Sequence, residues 1–174
     1  MEPRDFLKKF RKAPVCPAGS LKHAVSYGVE DIKRTITHRD PFLLLDRIEA
    51  IDLEKQAMIA TRHIAASDPV FRGHFPEFPV YPGTLLLEMM GQVASCASFF
   101  LGRGNHLIPA DAKPVYVRVT KILGADFLEP VLPGSDVTIS GIRIEWDGLS
   151  ARFGGQAIVK NKVCCVAVAE LYLF

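Results

Sequence analysis

Between Thr84 and Leu101 the chain is apolar almost throughout, broken mainly by Glu88, Gln92 and Ser95. A helix that is apolar nearly all round has to be enclosed by other structure. Pro82 suits the first turn of such a helix, where its missing N–H costs nothing, and Gly102 and Gly104 end it. The stretch approaches membrane-spanning length. Its three polar residues and its lack of flanking basic clusters predict a buried core helix rather than a span.

Around this helix the pattern reads as β. Phe42–Asp52 is rich in aliphatic residues and predicts a strand, with Gln56–Ala66 as its hairpin partner. Ser67–Tyr81 is a loop punctuated by Pro69, Pro76 and Pro79. After the helix, Val115–Phe127 reads as extended with a bulge or bend at Gly124, and Pro133–Asp136 as a turn. Val137–Trp146 and Ala151–Lys160 flank Asp147-Gly148, a strong hairpin signal. Val163–Phe174 follows a turn at Asn161-Lys162. Glu30–Thr37 predicts a short helix, ended before Pro41 because a residue preceding proline avoids the helical region. Two strands, one long apolar helix and about four more strands make an α+β fold in which one bent antiparallel sheet wraps the helix.

Residues 1–28 stand apart as an N-terminal accessory segment ahead of a single domain over 29–174. Phe6, Leu7 and Phe10 share one face of a short basic helix, which Pro14, Pro17 and Gly19 break. The segment reads as a packing arm or tail; a helix that docks on a membrane surface or a partner is the alternative.

The chain has 174 residues, 49% hydrophobic, with a net charge of +2. That length fits one domain. Near-neutral charge argues against a nucleic-acid binder, which needs a concentrated basic face. Cys16, Cys96, Cys164 and Cys165 form no C-x-x-C pair and no zinc-like spacing, and no continuous apolar leader opens the chain. A reduced, cytoplasmic compartment is the simpler expectation.

The candidate chemistry lies in Gly73–Gln92, G-H-F-P-E-F-P-V-Y-P-G-T-L-L-L-E-M-M-G-Q. His74 sits in a loop restricted by glycine and proline, as a positioned base requires. Glu88, Gln92 and Ser95 fall on one helix face by their spacing. That stripe is either a satisfied structural network or part of a site. Burial is expected to raise the pKa of Glu88 and keep it protonated as an acid. Gly83, at the helix N-terminus, permits close approach of a ligand to unpaired N–H groups. Of the other histidines, His38 is expected to cap the short helix or bind backbone.

The central segment resembles the signature of the β-hydroxyacyl-acyl carrier protein dehydratases of the FabZ type. His38–Ile48, H-R-D-P-F-L-L-L-D-R-I, and Phe127–Asp136, F-L-E-P-V-L-P-G-S-D, are similar to two further motifs of that family, in the same order. The resemblance covers about residues 30–174. It implies a hot-dog fold and a homodimer, with larger assemblies such as a hexameric trimer of dimers common in the family. His74 would come from one subunit and Glu88 from the other. It implies His74 as base, Glu88 as acid, Gly83 and Gln92 as substrate-binding residues, no metal and no cofactor. The partner implied is acyl carrier protein bearing a phosphopantetheine-linked 3-hydroxyacyl group, and the pathway fatty acid biosynthesis. Glutamate at position 88 points to the FabZ branch, since the FabA branch carries aspartate there.

Several positions depart from the family pattern. Glu77-Phe78 replaces a glycine-lysine pair, Met89 and Gly91 replace alanines, and Asp126 and Glu129 stand where basic residues are common. Acyl carrier protein is acidic, so these last two weaken the case for docking; Arg103, Lys113, Arg118 and Lys121 are the candidates for a replacement basic rim. Two rival readings remain open at this point. One is another thioester-handling hot-dog enzyme, an acyl-coenzyme A hydratase or thioesterase; the other is a non-catalytic acyl-thioester-binding protein.

Overall fold

A computed structural model describes all residues, 1–174. Seven strands form one antiparallel sheet: β1 (His23–Gly28), β2 (Arg47–Asp52), β3 (Ala57–His63), β4 (Val117–Phe127), β5 (Asp136–Trp146), β6 (Ser150–Val159) and β7 (Lys162–Leu173). Their order across the sheet is β1-β2-β3-β5-β6-β7-β4. Three helices accompany them: α1 (Pro3–Phe10), α2 (Val29–Ile32) and the long α3 (Gly83–Arg103).

The sheet curves around α3, which is the core. Leu86, Met89, Val93, Cys96 and Phe100 of α3 pack in one cluster with Ile48, Met58, Ile139 and Leu171 of the sheet. Although α3 is long and apolar enough to cross a membrane by composition, most of it is buried inside the protein. The helix starts after Pro82 and ends at Gly104, whose left-handed φ of 65° closes it, as expected for a glycine past the last turn.

Local turn chemistry accounts for the hairpins. Asp147 Oδ1 accepts from Leu149 N and Ser150 N, and Gly148 takes φ 101°. The β6–β7 turn falls on Lys160 and Asn161, both at positive φ, one residue earlier than the sequence suggests. The register between β4 and β7 shifts between Ile122 and Gly124, where a bulge is expected.

Three local expectations change. Phe42–Leu45 is not strand; β2 begins at Arg47. Leu43, Leu44 and Leu45 are buried in the main core, and the Leu44 N–H goes to the Gln92 side chain rather than to a neighbouring strand. The helix expected over 30–37 shortens to α2. Residues 23–28, inside the expected accessory segment, form the edge strand β1 against β2.

The N-terminal arm packs on the outer face of the sheet. Adjacent residues of a strand face opposite sides, and Gly154-Gly155 of β6 uses both. A Cβ on Gly155 would stand 3.0 Å from Met90 of α3, and one on Gly154 would stand within 2.2–2.7 Å of the Phe6 ring. Likewise a Cβ on Gly124 would meet Leu7 at 2.7 Å. Phe6 is only 2% exposed. Fully buried Gln156 ties the following segment down: its Nε2 donates to Phe10 O (2.6 Å) and Ala13 O (2.9 Å), and its Oε1 accepts from Val15 N (2.9 Å).

Candidate active site

The Ser67–Tyr81 loop contains a short 3₁₀ turn, Pro69–Arg72, whose first free amide is capped by Asp68 Oδ1 accepting from Val70 N. His74 N and Val80 N then pin the loop through Val70 O and His74 O. The His74 ring stacks on Phe75 at 4.1 Å between centroids. His74 Nδ1 lies 2.8 Å from Val80 O. A carbonyl only accepts, so Nδ1 carries the proton in the neutral ring and Nε2 keeps its lone pair.

His74 and Gly83 line one cavity of about 390 Å³, together with Tyr81, Phe127, Glu129 and Cys164. Gly83 is the first residue of α3, and no backbone or side-chain acceptor takes its N–H. The helix dipole therefore points its positive end, with an unpaired donor, into the wall of this cavity. The ring of Phe127 covers Gly83: a Cβ there would be 2.6 Å from it. Phe127 itself is 54% exposed. Burial pushes the Tyr81 phenol up to about 12 and raises the Cys164 thiol, so both are neutral in the cavity wall.

Glu88 does not line this cavity. It belongs to a second cluster on another face of α3. Glu88 Oε1 accepts from Gln92 Nε2 at 2.9 Å and lies 3.2 Å from His38 Nε2. Gln92 is completely buried with both ends of its amide engaged: Nε2 also donates to Phe42 O (2.9 Å), and Oε1 accepts from Leu44 N (2.8 Å). Ser95 is not part of this network; its hydroxyl donates to Gly91 O, one turn back.

Two expectations about this cluster need correction, one on Glu88 and one on His38. Its carboxyl is held below the ordinary value, not above it: the hydrogen bond with His38 is the largest influence, burial opposes it, and Gln92 adds to the lowering. A carboxylate 29% exposed and carrying two donors is stabilised in its charged form more than desolvation destabilises it. His38, expected on helix or backbone, is the residue that was missed. With Nε2 aimed at Glu88, its buried Nδ1 has no partner. The only sequence signal was its place at the head of the H-R-D-P-F-L-L-L-D-R-I motif.

The candidates thus fall in two separate places on the chain, His74 with Gly83 and Glu88 with Gln92. None of Arg103, Lys113, Arg118 or Lys121 lines the His74 cavity.

Residues 36–167 match the FabA-like domain. The chain belongs to the FabA-like family. It is 37% identical over 143 residues, 82% of this chain and 87% of the relative, to the 3-hydroxyacyl-[acyl-carrier-protein] dehydratase FabZ of Chlamydia muridarum (strain MoPn / Nigg). That makes it a FabZ-type member, as the three ordered motifs suggest. Among solved structures, the dehydratase heterocomplex ApeI:P from Xenorhabdus doucetiae aligns with a TM-score of 0.62 at 17% identity, covering 82% of this chain and 90% of that one. A hypothetical thioesterase with coenzyme A from Streptococcus pneumoniae TIGR4 aligns with a TM-score of 0.53 at 11% identity, over 73% of this chain and 84% of that one. At such identities these two likenesses speak for the fold alone, the hot-dog sheet wrapped on its helix.

Proposed function

We propose that this FabZ-type chain removes water from a 3-hydroxyacyl thioester held on the phosphopantetheine arm of acyl carrier protein, giving the trans-2-enoyl thioester in fatty acid biosynthesis. The relative at 37% identity carries that activity in its name. The observation that carries the reading for these residues is the His74 Nδ1 contact with Val80 O, which leaves Nε2 basic in a cavity shared with the free Gly83 N–H.

His74 Nε2 takes a proton from the carbon next to the thioester carbonyl. The Gly83 N–H holds that carbonyl oxygen as charge builds on it. The C–H electron pair becomes the new double bond, and the C3–O bond breaks. Glu88 gives its proton to the departing hydroxyl, which leaves as water. The thioester itself acidifies the proton, so the step needs no metal or cofactor. Gln92 orients Glu88. An acid needs its proton, and the single chain favours the ionised carboxyl of Glu88. Covering it with a second subunit and an acyl chain adds desolvation, the influence that already opposes the lowering.

The functional unit is a homodimer, with His74 of one copy facing Glu88 of the other; a hexameric trimer of dimers is compatible with it. Supporting this, Glu88 stands outside the His74 cavity, while Phe75 and Phe78 on the His74 loop are exposed aromatics suited to cover by another copy. Residues 1–28 act as an accessory segment of the dehydratase domain over 29–174, adding α1 and β1 to it. Four buried, unpaired cysteines support a cytoplasmic location.

Turnover of 3-hydroxyacyl-acyl carrier protein, followed by ultraviolet absorbance of the enoyl thioester, tests the reading. Enoyl product without free thiol is expected. Free thiol without enoyl product would replace it with thioester hydrolysis.

A further inference from the structure

The family's basic positions near the site are acidic here, Asp126 and Glu129, yet the structure gathers cations beside the same cavity from a different source. A surface recess of about 910 Å³ is bounded by Lys8, Lys9, Arg11, Lys12 and Lys162, with Glu129 as its one acidic residue. Leu128 and Glu129 line both this recess and the cavity of His74 and Gly83. That shared wall is fixed, since Leu128 N and Glu129 N both donate to Cys164 O. Arg11 faces Asp126 at 3.6 Å, whereas Lys8, Lys9, Lys12 and Lys162 enter no ion pair.

The cations are positioned, not trailing. Phe6 fills the space over Gly154, Leu7 the space over Gly124, and Gln156 holds Phe10, Ala13 and Val15. Gathering unpaired like charges on a rigid surface costs self-repulsion that an acidic partner relieves. A bilayer is the poorer fit. An interfacial helix needs a free apolar face, and that of α1 is already used against the sheet: Phe6 is buried, and Leu7 and Phe10 pack around it.

We infer that α1 and the segment after it, with Lys162, form the docking surface for the acidic carrier protein, replacing the basic residues that positions 126 and 129 lack. This rests on the reading that the substrate arrives on a carrier. The recess adjoins the cavity through Leu128–Glu129, so a carrier seated there starts its arm at the cavity wall.

The test is the full chain carrying Lys8→Glu, Lys9→Glu and Lys12→Glu, with Lys8→Gln, Lys9→Gln and Lys12→Gln as a milder set. All three side chains are exposed and lie outside the His74 cavity. Binding of fluorescently labelled holo-acyl carrier protein is measured by anisotropy, and dehydration is compared on carrier-linked and pantetheine-linked 3-hydroxyacyl thioesters. We expect carrier affinity to fall tenfold or more with glutamate and less with glutamine, KM to rise on the carrier substrate alone, and the salt dependence of binding to flatten. Unchanged carrier affinity overturns the inference. So does equal loss on both substrates, or wild-type binding to anionic vesicles but not to the carrier. If the wild type binds the carrier through these lysines but yields no enoyl product, the docking surface stands and the proposed reaction fails.

Discussion

Nε2 of His38 lies 3.2 Å from Oε1 of Glu88, and that same oxygen accepts the Gln92 amide at 2.9 Å. The pair joins residues 50 positions apart and helps to hold the carboxyl of the proposed acid below its ordinary value. Since the His38 contact is the largest influence lowering the Glu88 carboxyl, His38→Ala raises that pKa. Carbon-13 NMR titration of the Glu88 side chain measures it; an unmoved or lower value would refute the link. Stability follows in sign. A depressed carboxyl stabilises the fold fully above its unfolded value, near the ordinary 4.5, and that contribution is lost as pH falls through the lower folded value. The Tm gap between wild type and Glu88→Gln should therefore be open at neutral pH and close as the solution is acidified below 4.5.

The proposed sharing of the site between copies has a kinetic signature. His74→Ala and Glu88→Gln should each lower kcat by roughly 10²–10⁴-fold, the usual scale for losing a general base or acid. Mixed and re-equilibrated one to one, half the dimers are hybrids, and each hybrid holds one intact site. Activity should return to roughly a quarter of wild type for an isologous dimer. Mixtures no more active than either parent would put both residues of each site on one chain.

Gln92 does structural work that a binding role alone would not require. Gln92→Met keeps the volume but leaves the Leu44 N–H and Phe42 O without the partner they have now. An unsatisfied buried polar group costs about 1–3 kcal/mol. The urea midpoint should fall correspondingly with an unchanged m-value. A midpoint equal to wild type would mean that the 42–44 backbone finds other partners.

Gly83 and Phe127 should be coupled. Gly83→Ala drives a methyl to within 2.6 Å of the Phe127 ring. The ring is half exposed and lines the cavity, so it yields by swinging. Activity should drop through kcat/KM, and adding Phe127→Ala should recover part of the loss. Additive losses would show that the two positions act independently.

What the sequence disclosed was mainly local. The Thr84–Leu101 run, Pro82, Gly104 and Asp147-Gly148 carry their structural meaning within a few residues, and the elements they announce are present. Phe42–Leu45 misled because an aliphatic run buried against α3 looks like a strand; only the contact with Gln92, 48 residues on, shows where its backbone bonds go. β1 was hidden because His23–Gly28 is short and turns only Val25 and Tyr27 inward, both half-buried against the core. His74, Gly83, Glu88 and Gln92 stood out as candidates through motif spacing. The direction of the Glu88 shift did not, because its main donor, His38, lies 50 positions away in the chain. The basic recess was invisible for the same reason: it forms only when α1 reaches across the sheet to Leu128 and Lys162.

That reach depends on two missing side chains, and Gly154→Ala should undo it. The new Cβ would stand 2.2 Å from the tip of the Phe6 ring. The ring is fully enclosed, so it cannot swing aside as Phe127 can, and overpacking of this kind costs about 1–3 kcal/mol. The cheapest relief is to release α1 from the outer face while the α3 core stays intact. Limited trypsin digestion should then cut faster at Lys8, Lys9, Arg11 and Lys12, with the main unfolding transition little changed. Shortening the ring with Phe6→Leu in the same chain should restore part of the protection. If α1 remains as protected as in the wild type, the glycine is not what seats Phe6, and the arm is held mainly by the Gln156 bonds to Phe10, Ala13 and Val15.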